Sequence, residues 1–156
     1  CPGDLRPHFT RLLRSGAVNV AMVRGELAFA QEHYQAAIDI MAEAVAILQS
    51  IGAGPFLDDA LLLTGRALLK LNRPAEARSV LTQARSNAEA IGSHRIYWQV
   101  LVQSSEVEIK LGRAAAADRF KQQAKAEIYF LASQIDLDEV RLSFLNQLPV
   151  RSLLNG

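Results

Sequence analysis

The chain has 156 residues, 50% hydrophobic and 21% charged, a composition suited to one domain with a continuous core. Lys and Arg number 17 against 16 Asp and Glu, so the net charge of +1 supplies no global field to gather nucleic acid or an anionic membrane. No apolar run approaches the ~20 residues of a membrane span. The single cysteine, Cys1, excludes a disulfide within the chain; the cytoplasm is the expected compartment, and the start without Met reads as a cut from something longer.

In chain order, residues 4–14, with Leu5, Phe9, Leu12 and Leu13, predict a short leading helix, part of a segment (1–16) read as the remnant of an upstream unit. A helix over 17–31 carries Ala21, Gly25 and Ala28, and one over 34–50 places Ala37, Ile40, Met41, Ala44 and Leu48 on one face. The clearest pattern follows at 56–71, where Leu61, Leu62, Gly65, Leu68 and Leu69 recur at three- and four-residue spacing. Asn72 tolerates the left-handed conformation that ends a helix, and Pro74 fits the first turn of the next, over 74–91. Ala77, Val80, Leu81, Ala84, Ala88 and Ile91 mark its apolar face, and Gly92 closes it.

Helices over 95–111 and 114–134 repeat this order, with Gly112 where Asn72 stood and Ala117, Phe120, Ala124, Ile128 and Leu131 on the second. Glu32 holds the corresponding place in the first pair and predicts a different or softer turn there. Asp136 and Glu139 have capping-box spacing and start a last helix, striped by Leu137, Val140, Phe144, Leu145 and Leu148. Pro149 ends it, leaving Val150, Leu153 and Leu154 as a hydrophobic tail.

Slid by 40 residues the chain matches itself: Gly25/Gly65/Ser105, Ala37/Ala77/Ala117 and Ala44/Ala84/Ala124 coincide. A period of this size means stacked copies of one supersecondary unit. The expected fold is all-α, a right-handed α-solenoid of three helical hairpins (17–55, 56–94 and 95–135) closed by a C-terminal capping helix (136–156). Small residues on the first helices, with Ala37, Ala77 and Ala117 opposite, allow the close approach of each pair.

Leu61, Gly65, Leu68, Pro74-Ala75-Glu76-Ala77, Leu81 and Ala84 resemble the tetratricopeptide repeat. That repeat ordinarily spans 34 residues, and about six more are expected here as longer second helices and loops such as Ser50 to Phe56. Long-period versions are similar to the helical arms of large bacterial regulators: maltose-regulator-type activators, signal-transduction ATPases and repeat-bearing cyclases or kinases. The chain departs from the pattern at Ala28 and Glu108, which stand where Leu68 does, and at Lys121, which replaces Leu81.

The resemblance implies a binding arm whose first helices line a concave groove. By register its lining is Asn19, Met22, Val23, Glu26 and Phe29, then Asp59, Leu62, Leu63, Arg66 and Lys70, then Gln99, Val102, Gln103, Glu106 and Lys110. The partner implied is a protein or peptide, or a neighbouring domain of the same parent chain, rather than nucleic acid or membrane. A second reading is self-association into a homodimer through an exposed stack end or the hydrophobic tail.

Nothing points to catalysis or to a cofactor. His8, His33 and His94 lack neighbours at metal-ligand spacing. Asp58-Asp59 and Asp136/Asp138/Glu139 fall at helix starts, where carboxylates cap free amides. Tyr97-Trp98 reads either as an interaction platform or as a plug in which Trp98 fills the interface between the second and third units.

Overall fold

The computed structural model describes residues 6–52 and 54–156. Eight helices and no strand occur among them: α1 (Arg6–Ala30), α2 (Tyr34–Ile51), α3 (Gly54–Lys70), α4 (Pro74–Ile91), α5 (His94–Lys110), α6 (Ala114–Ser133), α7 (Asp138–Leu145) and α8 (Leu148–Asn155). Consecutive helices among the first six pack on one another, most extensively within the pairs α1–α2, α3–α4 and α5–α6, and α3 also touches both α1 and α5. The result is a tetratricopeptide-like stack of helical hairpins, α1–α2, α3–α4 and α5–α6, followed by a short helical end.

The hairpin turns are copies of one geometry at the 40-residue period. Glu32, Asn72 and Gly112 have φ of 63°, 56° and 71°. In each turn the next amide reaches back over the helix end: His33 N–H to Ala28 O (2.8 Å), Arg73 N–H to Leu68 O (2.9 Å) and Arg113 N–H to Glu108 O (2.8 Å). The expectation of a softer first turn is therefore wrong. Packing of α1 on α2 imposes the left-handed conformation even on Glu32, at a backbone cost of ~1–2 kcal/mol that Gly112 avoids.

The inter-hairpin connections are tight as well. Gly52 and Gly92, at φ 66° and 68°, end α2 and α4, and α3 and α5 begin two residues later. The loop expected between Ser50 and Phe56 is mostly helix, and the added length of each repeat lies in helices of 17 to 20 residues. A second correction falls at the N-terminus, where the predicted break between residues 14 and 17 is absent and α1 runs unbroken through Gly16. One glycine costs a helix only ~1 kcal/mol, too little to interrupt it. Cys1, Leu5 and the expected helix start at residue 4 lie outside the described residues, as do the side chains of Phe9, Leu12 and Leu13.

In the first two hairpins Gly25 of α1 and Gly65 of α3 lie against large side chains of the following helix. A Cβ on Gly65 would lie 2.6 Å from Leu81 Cδ2 and 2.7 Å from its Cγ, while one on Gly25 would meet the Met41 methyl. Met41 and Leu81 thus make the nearest contacts with these glycines, and Ala37 and Ala77 are fully buried. Ala44, Ala84 and Ala124 are fully buried. One core centres on α3 to α5 around Leu68, Leu81 and Val100. A second joins α2 to its neighbours through Met41 and Leu48, and a third lies at the C-terminal end around Leu101 and Ile128.

The end of the chain folds as two helices. Helix α7 starts at Asp138 with Leu137 at its cap position and no side-chain cap, so Asp136 does not play the expected role. Pro149 sits in the first turn of α8, beginning that helix rather than terminating one. Val150 and Leu153 are buried against Leu101, Ala124 and Ile128, which absorbs most of the expected tail into the core. Arg141 fastens the junction: its guanidinium donates to Ala132 O (3.1 Å) and Ile135 O (3.1 and 2.5 Å) and pairs with Asp138 (3.0 Å).

Candidate functional site

Because α3 touches both α1 and α5, the first helices of the three hairpins form a continuous surface. Two adjoining hollows run along it. One, of about 240 Å³, is lined by Glu26, Phe29, Asp59, Leu62, Leu63, Arg66, Arg95, Ile96 and Gln99. The other, of about 490 Å³, shares Leu62, Arg66 and Gln99 and continues over Trp98, Val102, Gln103, Ser105, Glu106, Ile109 and Lys121 to Pro149, Ser152 and Leu153 of α8. Together they form one groove with Arg66 at its middle.

The floor is apolar: Leu62 and Leu63 are buried, and Phe29, Trp98 and Val102 are half-buried. The rim is polar. Arg66 lies with its guanidinium carbon 5.2 Å from the centre of the Phe29 ring, which meets Tyr34 edge-on. Among the described residues no carboxylate is within ion-pair distance of Arg66, so its nitrogens are available to an incoming acceptor. Arg95, in contrast, is held by Asp59 at 2.8 Å.

The groove brings together Glu26, Phe29, Asp59, Leu62, Leu63, Arg66, Gln99, Val102, Gln103 and Glu106 of the residues predicted from register. It leaves out Asn19 and Val23, which are exposed elsewhere on α1, Met22, which packs on the second core, and Lys70 and Lys110 in the last turns of α3 and α5. Register alone misses Arg95, Ile96, Trp98, Ser105, Ile109, Lys121 and the whole α8 wall. Trp98 packs on the third core and faces the chain's end, so it does not fill the interface between the second and third hairpins. Tyr97 takes that place, touching the first and third cores. Its hydroxyl donates to Glu89 at 2.6 Å, and burial together with that carboxylate pushes the phenol up to about 12.

Of the carboxylates expected at helix starts, Asp138 and Glu139 stand in the first turn of α7, whereas Asp58 behaves otherwise. Asp58 is fully buried, accepts a hydrogen bond from Asn87 Nδ2 (2.6 Å) and leaves Oδ2 without a partner. Burial raises its pKa, against the opposing effect of Asn87. Because the same Asn87 nitrogen donates to Gly54 O (3.0 Å), the pair ties the start of α3 to α4. His94 meets Glu127 at 2.8 Å and stacks beside Phe130. No cluster of His, Cys, Asp and Glu among the described residues could hold a metal ion, and no described helix is long and apolar enough to cross a membrane.

Neither a protein-family model nor a curated protein matches the chain. Its fold is similar to the crystal structure of the tetratricopeptide-repeat domain of Arabidopsis FLU, with a TM-score of 0.72 at 13% identity over 75% of this chain and 98% of that one. At that identity the likeness is one of fold.

Proposed function

We propose that the chain is a protein-interaction arm that docks an extended peptide or a helix along the groove of α1, α3 and α5. The carrying observation is the continuity of the two hollows through Leu62, Arg66 and Gln99, with an apolar floor and an uncommitted guanidinium at the centre. Such a surface suits aliphatic or aromatic anchors flanking a carboxylate that Arg66 receives. The arm serves a larger signalling or regulatory protein, as the helical arms it resembles do, and supplies no chemistry of its own. In a peptide display selection against the chain, sequences with an acidic residue between apolar anchors should be enriched. Arg66→Glu should weaken the selected peptide at least tenfold while leaving the helical spectrum unchanged; equal binding by that variant would remove the groove from the account.

A second reading rests on a separate observation. Val20, Val23 and Leu27 form a stripe on α1 that is 59%, 65% and 55% exposed. Pairing of two copies along that stripe would make the chain a self-association module. A mass that rises with concentration in light scattering, and is restored to the monomer value by Val23→Glu, favours it; a constant monomer mass rules it out.

A further inference from the structure

A second cavity, of about 630 Å³, opens between α4, the end of α5 and the start of α6 and shares no lining residue with the groove. Four guanidinium groups, of Arg78, Arg85, Arg113 and Arg119, line it with a single carboxylate, Glu108. Glu108 is only 3% exposed and occupies the place that core Leu68 has in the preceding hairpin. Its Oε1 accepts from Arg78 Nε at 2.8 Å. Its Oε2 is buried without a hydrogen-bond partner, the nearest cation being Arg113 Nη1 at 3.9 Å. A carboxylate in place of a core leucine is costly to bury, and its charge does not offset the cluster around it: Arg78 and Arg113 share Glu108, Arg85 lies 3.9 Å from Glu89 and over the Phe120 ring, and Arg119 has no carboxylate within ion-pair distance among the described residues.

The third hairpin also lacks the acid that neutralises its predecessor. In the second, Arg73 is held by Glu76 through two bonds of 2.7 and 2.6 Å; the equivalents here are Arg113 and alanine, and α6 begins with no acidic residue in its first turn and no side-chain cap. The 20-residue helix therefore presents its positive end to the cavity beside Arg113 and Arg119. By engaging Nε of Arg78, Glu108 leaves both terminal nitrogens of that guanidinium free, an orientation suited to a forked contact with an oxyanion.

We propose that this cleft binds a small organic phosphate monoester. The phosphate is held by Arg113 and Arg119 at the start of α6 with Arg78 as a third donor, and Glu108 is a positioning residue that sets Arg78. The organic part extends along the adjoining 330 Å³ hollow, which shares Arg85, Arg119 and Phe120. The combined space is of the size that small-molecule sites occupy.

Calorimetric titration of the whole chain with adenosine 5′-monophosphate and glucose 6-phosphate tests this, with adenosine, glucose, inorganic phosphate and a phosphoserine peptide as comparisons. At least one ester should bind with a Kd below about 1 mM, and its unphosphorylated counterpart should not. Arg113→Ala/Arg119→Ala should weaken that ester at least tenfold. Glu108→Leu, which restores the residue type of the preceding hairpin, should weaken it several-fold, whereas Glu108→Gln, which keeps an acceptor for Arg78 Nε, should bind the ester within about twofold of wild type. Failure of both esters to bind, binding unchanged in the double arginine variant or in Glu108→Leu, or inorganic phosphate binding as tightly as the ester would overturn the proposal. Tighter binding of the phosphoserine peptide than of either ester would equally overturn it, by giving the cleft to a protein ligand.

Discussion

Gly65→Ala is the sharpest probe of how the hairpins close. The added Cβ would sit 2.6 Å from Leu81 Cδ2, 2.7 Å from Cγ and 3.3 Å from Cδ1, whereas ordinary contacts begin near ~3.4 Å. Leu81 is 1% exposed and walled in by the first core, so the displacement needed cannot be absorbed by swinging into solvent. Overpacking of this kind costs ~3 kcal/mol at the upper end of its usual range, and the better helix propensity of alanine returns ~1. The net loss expected from urea denaturation is ~2 kcal/mol, about 4–8 °C in Tm for a chain of this size. In a Leu81→Ala background the obstruction is gone, and the same substitution should stabilise by ~1 kcal/mol, a coupling near 3 kcal/mol in the double-mutant cycle. Gly65→Ala as stable as wild type, or an equal effect in both backgrounds, would refute this reading of the seam.

Glu32→Gly should raise stability by about 1 kcal/mol in the same assay, since it relieves a positive φ at an exposed position. Arg141→Ala should cost ~1–3 kcal/mol and speed amide exchange in α7 and α8, because three bonds from its guanidinium to carbonyls at the end of α6 are lost; exchange in α3 should not change. Asp58→Asn should gain on wild type as the pH rises. A carboxyl whose folded pKa is raised contributes fully below its unfolded value near 3.8 and loses that contribution as the pH climbs through the folded value, so urea titrations at about pH 3.5 and 7 should show the gap moving toward the variant.

The helices and their order were legible because the small residues at Gly25/Gly65/Ser105, Ala37/Ala77/Ala117 and Ala44/Ala84/Ala124 recur despite the departures at Ala28, Glu108 and Lys121, and Asn72 and Gly112 mark their turns at equal spacing. What escaped was set by tertiary demand. Glu32 gives no local sign of a left-handed conformation; the packing of α1 on α2 requires it. Asp58 looks like a cap by its position at the start of α3, and its burial depends on Asn87, which comes from another helix. Much of the groove's lining on α1, α3 and α5, such as Glu26, Leu62, Arg66 and Glu106, followed from register, although Arg95, Ile96 and Ser105 did not. The groove's last third did not, because Trp98 and Lys121 share the lining with Pro149, Ser152 and Leu153 of α8, which packs on α6, and nothing in the pattern of residues 148–155 specifies that docking direction. Glu108, visible as a break in the repeat, acquires meaning only beside the arginines of α4 and α6.

The central claim, that the first helices dock a partner segment along one groove, is tested most directly by amide chemical-shift mapping with a peptide selected against the chain. The account predicts perturbations running from Glu26 and Phe29 through Leu62 and Arg66 to Trp98–Glu106 and Ser152. Perturbations confined to α2, α4 and α6 would contradict it.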